Sequence, residues 1–278
     1  MPHAYSRPHF AVSSLSSPLF DFDDLTAVAA DWRFDGIDLD LTRWWTRRRH
    51  AHFAPLPNAR NQALRSLWLP AASLTARDGS LSLAPWLRHL LLTHSEIIVI
   101  VADDGEALGD QLRGRRFEQA SRLKTLLGDR HRVAIGVRAA THAAGRAHLM
   151  RLRALRSLTE EWELGLALDL AHADDWQWEA EAAVFHASPN LDVIRVALPG
   201  ATFDAHVRSR LTARTVAAAV DAGFNGIFSL APHLSFWQWR NRDLMEALCG
   251  DGREKIVNMM RGERDAFIRD DAPTWTRQ

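Results

Sequence analysis

Eight short apolar segments recur along this 278-residue chain at intervals of about 30 residues, a period that restricts the fold more than any other feature of the sequence. They predict strands near residues 9–14, 36–41, 64–70, 97–103, 133–138, 164–170, 193–198 and 226–230. Such an interval is the length of one strand–helix unit. Helical patterns fill most of the gaps. Asp21 is placed to cap a helix with Leu25, Val28, Ala29 and Trp32 on one face. Leu149, Leu152, Leu155 and Leu158 repeat at threes, and Val207, Leu211 and Val216 mark another helix. Arg47 to Asn61 reads as loop rather than helix.

Alternation within the strands separates two architectures. Ile37, Leu39 and Leu41 alternate with Gly36, Asp38 and Asp40. Val133, Ile135 and Val137 alternate with Ala134, Gly136 and Arg138. Leu164, Leu166, Leu168 and Leu170 alternate with Gly165, Ala167 and Asp169, and Ile194, Val196 and Leu198 with Val193, Arg195 and Ala197. A strand of a doubly wound sheet has helices on both faces and is apolar on both. A strand of a (β/α)₈ barrel has helices outside, a crowded interior, and polar residues toward the C-terminal end of that interior. The second pattern is the one present. The expected fold is a single (β/α)₈ TIM barrel over residues 1–278, with a C-terminal helical extension at about 238–270.

Composition narrows the chemistry. Basic and acidic residues number 34 each, so net charge gives no reason to expect nucleic acid or an anionic membrane as partner. Of the basic residues only Lys124 and Lys255 are lysines, both on predicted helices away from the barrel mouth. The lone cysteine, Cys249, excludes an intramolecular disulfide and a Cys-based zinc cage. The sequence holds no phosphate-cradling Gly-x-Gly-x-x-Gly or Walker motif and no Gly-x-Ser-x-Gly. Residues 1–20 lack the apolar run of a signal peptide, and the expected location is cytoplasmic.

Phe34-Asp-Gly-Ile-Asp-Leu39, Leu166-Ala-Leu-Asp-Leu-Ala-His-Ala173 and Gly223-Phe-Asn-Gly-Ile-Phe-Ser-Leu230, in that order at strand spacing, resemble the xylose-isomerase-like barrel superfamily. The resemblance spans roughly His9 to His233. It implies a barrel of the kind used by sugar-phosphate isomerases and epimerases, polyol dehydratases and apurinic-site endonucleases. It also implies a divalent metal held by a fifth-strand Glu, a sixth-strand Asp-x-x-His, a seventh-strand His and an eighth-strand Glu. Asp169 and His172 match the Asp-x-x-His, whereas the other three positions fall on Arg138, Ala197 and Ala231. The second-strand acidic position is kept as Asp38. One Asp and one His seldom hold a hard cation. An inward arginine about 4 Å away would repel it by roughly 4 kcal/mol per unit charge at an effective dielectric near 20.

The expected function is therefore proton transfer on a small organic substrate in the barrel mouth, by an isomerase-, epimerase- or lyase-type enzyme without a metal or other cofactor, in a specialised biosynthetic setting. Two alternatives stay open. One is a metal-dependent sugar (phosphate) isomerase or epimerase with rearranged ligands around Mn, Mg or Zn, drawing on Asp38, Asp104 or His233. The other is a non-catalytic barrel that binds a ligand or partner. A homodimer is open to any of the three.

The acid–base candidates are His172, Asp169 and Asp38. Arg138 and Arg195 are the candidate anion or oxyanion binders. Asp169 and His172 read equally well as members of a salt-bridge network with those arginines, and Asp38 and Asp40 as their partners. Trp44, Trp45, Trp68 and Trp237, with His233 and Asp104, are expected on the C-terminal rim as pocket wall.

Overall fold

Each strand pairs in parallel with the next, and the last pairs with the first, so the sheet closes on itself. In the computed structural model the strands are β1 His9–Ser13, β2 Gly36–Asp40, β3 Ala63–Pro70, β4 Ile97–Val101, β5 Arg132–Arg138, β6 Gly165–Leu170, β7 Leu191–Leu198 and β8 Ile227–Pro232. The helices among the described residues are α1 Phe22–Asp31, α2 Gln111–Leu127, α3 Gly145–Glu161, α4 Ala180–Ala187, α5 Ala205–Asp221 and α6 Arg242–Met260. The structure describes residues 7–16, 20, 22–42, 63–71, 95–101, 111–128, 131–138, 145–170, 180–187, 190–198, 205–232, 234, 238 and 241–262. Asp21 and the expected loop at 47–61 lie outside them. The expected C-terminal extension holds α6, which packs on β8 and β7 as the barrel's own last helix. No helix among the described residues is long and apolar enough to cross a membrane.

The strand alternation divides the apolar residues into two bodies. Ile37, Leu39, Ile98, Ile100, Leu166, Leu168, Ile194 and Val196 face outward and join Leu25, Val28, Leu152, Leu155, Val216, Met245 and Ile256 of the helices. Inside the barrel a separate cluster holds Ala11, Trp68, Ile97, Val99, Val101, Ala134, Ala167, Val193 and Ile227. Gly136 makes room there. A Cβ at that position would come within 3.1 Å of the Trp68 ring and closer still to Val99 and Val101.

Two register shifts break the pairing, between Ile37 and Asp38 on β2 and between Leu166 and Ala167 on β6. Each leaves one extra residue on the next strand, and each is charged. Arg65 donates to the Asp35 carbonyl at 2.9 Å and to the Glu96 carboxylate at 2.6 Å. Asp192 accepts from Arg132 at the N-terminal end of the barrel, and its carboxylate fills the space beside Gly165. Burial pushes the Asp192 carboxyl up to about 7, although the Arg132 charge pulls the other way.

A carboxyl whose folded pKa is raised binds more protons folded than unfolded. Its stabilising contribution is complete below about 4 and is lost as pH rises through about 7. Asp192→Asn removes that titration. The stability of the wild type minus that of Asp192→Asn, from urea midpoints, should therefore fall steadily between pH 4 and 7.

Three helices leave by the same turn. The Phe34, Leu164 and Phe224 amides reach back five residues to the Ala29, Thr159 and Ala219 carbonyls at 2.8, 2.8 and 2.9 Å. This is the Schellman arrangement, with a left-handed residue before the returning amide. That residue is Gly223 (φ 69) after α5, but Arg33 (φ 54) after α1 and Glu163 (φ 51) after α3. The segments Asp31-Trp-Arg-Phe-Asp-Gly-Ile37 and Asp221-Ala-Gly-Phe-Asn-Gly-Ile227 are alike in sequence because both build this exit and the entry into the next strand. Arg33→Gly relieves the left-handed strain without removing a described contact and should stabilise the protein by about 1 kcal/mol in urea denaturation. Trp32, expected on the buried face of α1, stands past the helix end instead. It is 38% exposed, with its ring against Gly250.

Candidate active site

The polar interior begins with β2, where pleating turns Asp38 and Asp40 inward while Ile37 and Leu39 pack outside. From β7 the same parity brings in Arg195, and from β6 Asp169, their Cα positions paired in register. The Arg195 guanidinium lies between the three acids. Nε donates to Asp38 Oδ2 at 2.8 Å. Nη1 donates to Asp40 Oδ2 at 2.8 Å and to Asp169 Oδ2 at 3.1 Å. Nη2 lies 2.8 Å from Asp38 Oδ2, off the hydrogen-bond axis, so that contact is an ion pair only. The Trp68 ring lies against the guanidinium, its centroid 3.8 Å from Cζ. Such stacking is worth about 2 kcal/mol or more when desolvated.

Hydroxyls complete the arrangement. Asp38 Oδ1 accepts from Ser66 Oγ at 2.5 Å, and Oδ2 also accepts from Ser229 Oγ. Asp40 Oδ1 accepts from the Thr42 amide at 2.8 Å and the Thr42 hydroxyl at 2.5 Å. The Asp40 amide donates to Ser14 Oγ at 2.8 Å. Asp38, Asp40, Asp169, Arg195, Trp68, Ser66 and Ser229 are all buried. Five strands are tied together here, with Asp40 and Asp169 near the C-terminal ends of theirs. That end is where barrels of this class carry their sites.

The charges are fixed by position. Burial opposes the Arg195 charge, but Asp38, Asp169 and Asp40 more than offset it, so its pKa moves further above the ordinary arginine value. Arg195 is thus a permanent cation and no proton donor. Against it stand three carboxylates, a formal charge of −2 when all are ionised. Burial pushes the Cys249 thiol well above its usual range, leaving no thiolate for chemistry.

Of the residues singled out in the sequence, Asp38, Asp40, Trp68, Asp169 and Arg195 converge in one cluster. Arg138 closes β5 beside Asp169, and its side chain is outside the described set. His172, His233, Asp104, Trp44, Trp45 and Trp237 also lie outside it. Lys124 is held at the far end of the barrel by the Glu163 carbonyl and carboxylate at 2.9 and 3.0 Å, and Lys255 pairs with Asp251 on α6. Sequence reasoning passed over Ser229, although Phe228-Ser-Leu230 carries the same alternation as the other strands.

The metal implied by the family resemblance does not fit these residues. Ala197 and Ala231 are register partners with methyl side chains and no lone pair to offer. Asp169 Oδ2 already accepts from Arg195, whose fixed positive charge stands where a cation would have to approach.

No family model matches the chain, and no curated protein sequence matches it. Solved structures do. The D-allulose 3-epimerase from Methylomonas sp. is 18% identical with a TM-score of 0.62, covering 92% of this chain and 99% of its own. An L-ribulose 3-epimerase is 13% identical with a TM-score of 0.62, covering 92% and 96%. A xylose isomerase-like TIM barrel protein from Mycobacterium smegmatis, solved with magnesium, is 13% identical with a TM-score of 0.56, covering 96% and 100%. This chain thus has the fold of a closed (β/α)₈ barrel, and in that fold it is similar to these epimerases and to the xylose isomerase-like barrel.

Proposed function

We propose that this barrel is an isomerase or epimerase that moves a proton on a small hydroxy-carbonyl substrate in its C-terminal mouth, without a divalent metal. The observation that carries the reading is the buried Arg195 cluster, which presents a charged floor where the fold's active sites open. The likeness to 3-epimerases over nearly the whole of both chains supports the reaction class.

In this reading Asp169 takes the proton from the carbon beside a carbonyl, with His172 three residues on as its acid–base partner. Arg195 holds the Asp169 oxygen in place from beneath the mouth. Asp38, with both oxygens engaged by Ser66, Ser229 and Arg195, orients the guanidinium. A planar enediolate-like intermediate is reprotonated on either face, giving the epimer, or at the neighbouring carbon, giving the isomer.

The test is proton NMR in D₂O with a panel of ketopentoses, ketohexoses and their phosphates. Deuterium entering next to the carbonyl, together with epimer or isomer, is the expected result. A panel unchanged at high enzyme concentration refutes the reading and favours a barrel that only binds.

A further inference from the structure

The geometry points to the Arg195 guanidinium as the resident cation of this barrel, an internal replacement for a divalent ion. The inference rests on the reading of the mouth given above. Three carboxylate oxygens, from β2 and β6, lie 2.8 to 3.1 Å from the nitrogens of one guanidinium. Convergence of acids from opposite sides of a barrel is the arrangement a dication demands, because several ligands must be drawn to one point. Here the point is taken by a cation tethered to β7. Trp68 stacks on one face of it, and no surface of the Arg195 side chain is exposed. Neither a chelator nor metal scarcity can remove it. Among the described residues no three Asp, Glu, His or Cys side chains form a metal-ligand group.

The carboxylates are nevertheless hard oxygen donors of the kind Ca²⁺ takes at about 2.3–2.6 Å, and Mn²⁺ accepts similar ligands. Shortening Arg195 to alanine removes the resident charge and opens the space it filled. The Arg195→Ala variant should therefore acquire divalent-ion binding that the wild type lacks.

Two measurements test this. Elemental analysis of the wild type purified without added metal should find far less than one divalent ion per chain, and EDTA should leave its Tm unchanged. Added Mn²⁺ should raise the Tm of Arg195→Ala by about 5–10 °C, the shift expected at roughly a hundredfold its Kd. That rise should vanish when Asp38→Asn and Asp169→Asn are added. A stoichiometric ion in the wild type, or a folded Arg195→Ala indifferent to Mn²⁺ and Ca²⁺, overturns the inference.

Should the alanine variant not fold, Arg195→Lys decides together with the wild-type metal content. An ammonium carries its donors on a single nitrogen and lacks the planar fork that reaches Asp38 through Nε and Asp40 and Asp169 through Nη1. A Tm loss of about 5 °C or more supports the inference, and a Tm equal to that of the wild type overturns it. A metal-free wild type inactive on every substrate removes the isomerase reading and leaves this one standing. A resident metal in an active enzyme does the reverse.

Discussion

Arg195→Met is expected to cost about 3–5 kcal/mol of folding stability, because it strips the shared counter-charge from three buried acids. Methionine fills much of the same space, so cavity formation is a minor part of the cost. The guanidinium donates to Asp38, Asp40 and Asp169, and nothing on a thioether replaces those bonds. The stacking on Trp68 also loses its charge. Against a typical total of about 5–15 kcal/mol, such a loss brings the fold close to its limit. Urea midpoints at pH 7 measure it. A cost below about 1 kcal/mol would mean that the cluster is solvated in solution, as surface pairs are.

Asp169→Asn should behave in the opposite way. The amide oxygen still accepts from Arg195 Nη1, and the formal charge of the cluster falls from −2 to −1. Stability should change by no more than about 1 kcal/mol, on the scale of one exchanged hydrogen bond. Proton transfer should suffer far more. Removing a positioned general base costs about 10²–10⁴-fold in rate. Hydrogen exchange into the substrate, followed together with a urea midpoint, separates the two effects. Full activity in Asp169→Asn would assign this residue to structure alone and return proton transfer to other groups of the mouth.

These contrasting outcomes follow from how the cluster is built, and much of that construction was legible in the sequence. The alternations Gly36-Ile-Asp-Leu-Asp40 and Val193-Ile-Arg-Val-Ala197 require one face bulky and one face small or charged. In a closed barrel the second face has only the interior to occupy, so Asp38, Asp40 and Arg195 had to meet there. The partition of the three acids over the guanidinium was not legible, because Asp38 and Arg195 are 157 positions apart and pair across the barrel. Ser229 escaped notice for a related reason. A hydroxyl on a strand carries no signal until its register partner is known to be Arg195.

The bulges at Arg65 and Asp192 were hidden because a single extra residue reverses parity without altering composition. Trp32 was misplaced because the apolar spacing of α1 continues past the point where the left-handed Arg33 ends the helix. The rim expected from Trp44, Trp45, Trp237, His233 and Asp104, and the partner expected in His172, fall outside the described residues.

The most direct test of a proton-transferring barrel run by a built-in cation is solvent exchange in chelated enzyme. Wild-type protein dialysed against EDTA and transferred to metal-free D₂O is incubated with the substrate identified from the panel, and deuterium entry beside the carbonyl is followed by NMR. Exchange at the rate of the untreated enzyme is the result expected from Arg195 as the resident charge. Exchange that stops after dialysis and returns with Mn²⁺ or Mg²⁺ would contradict it.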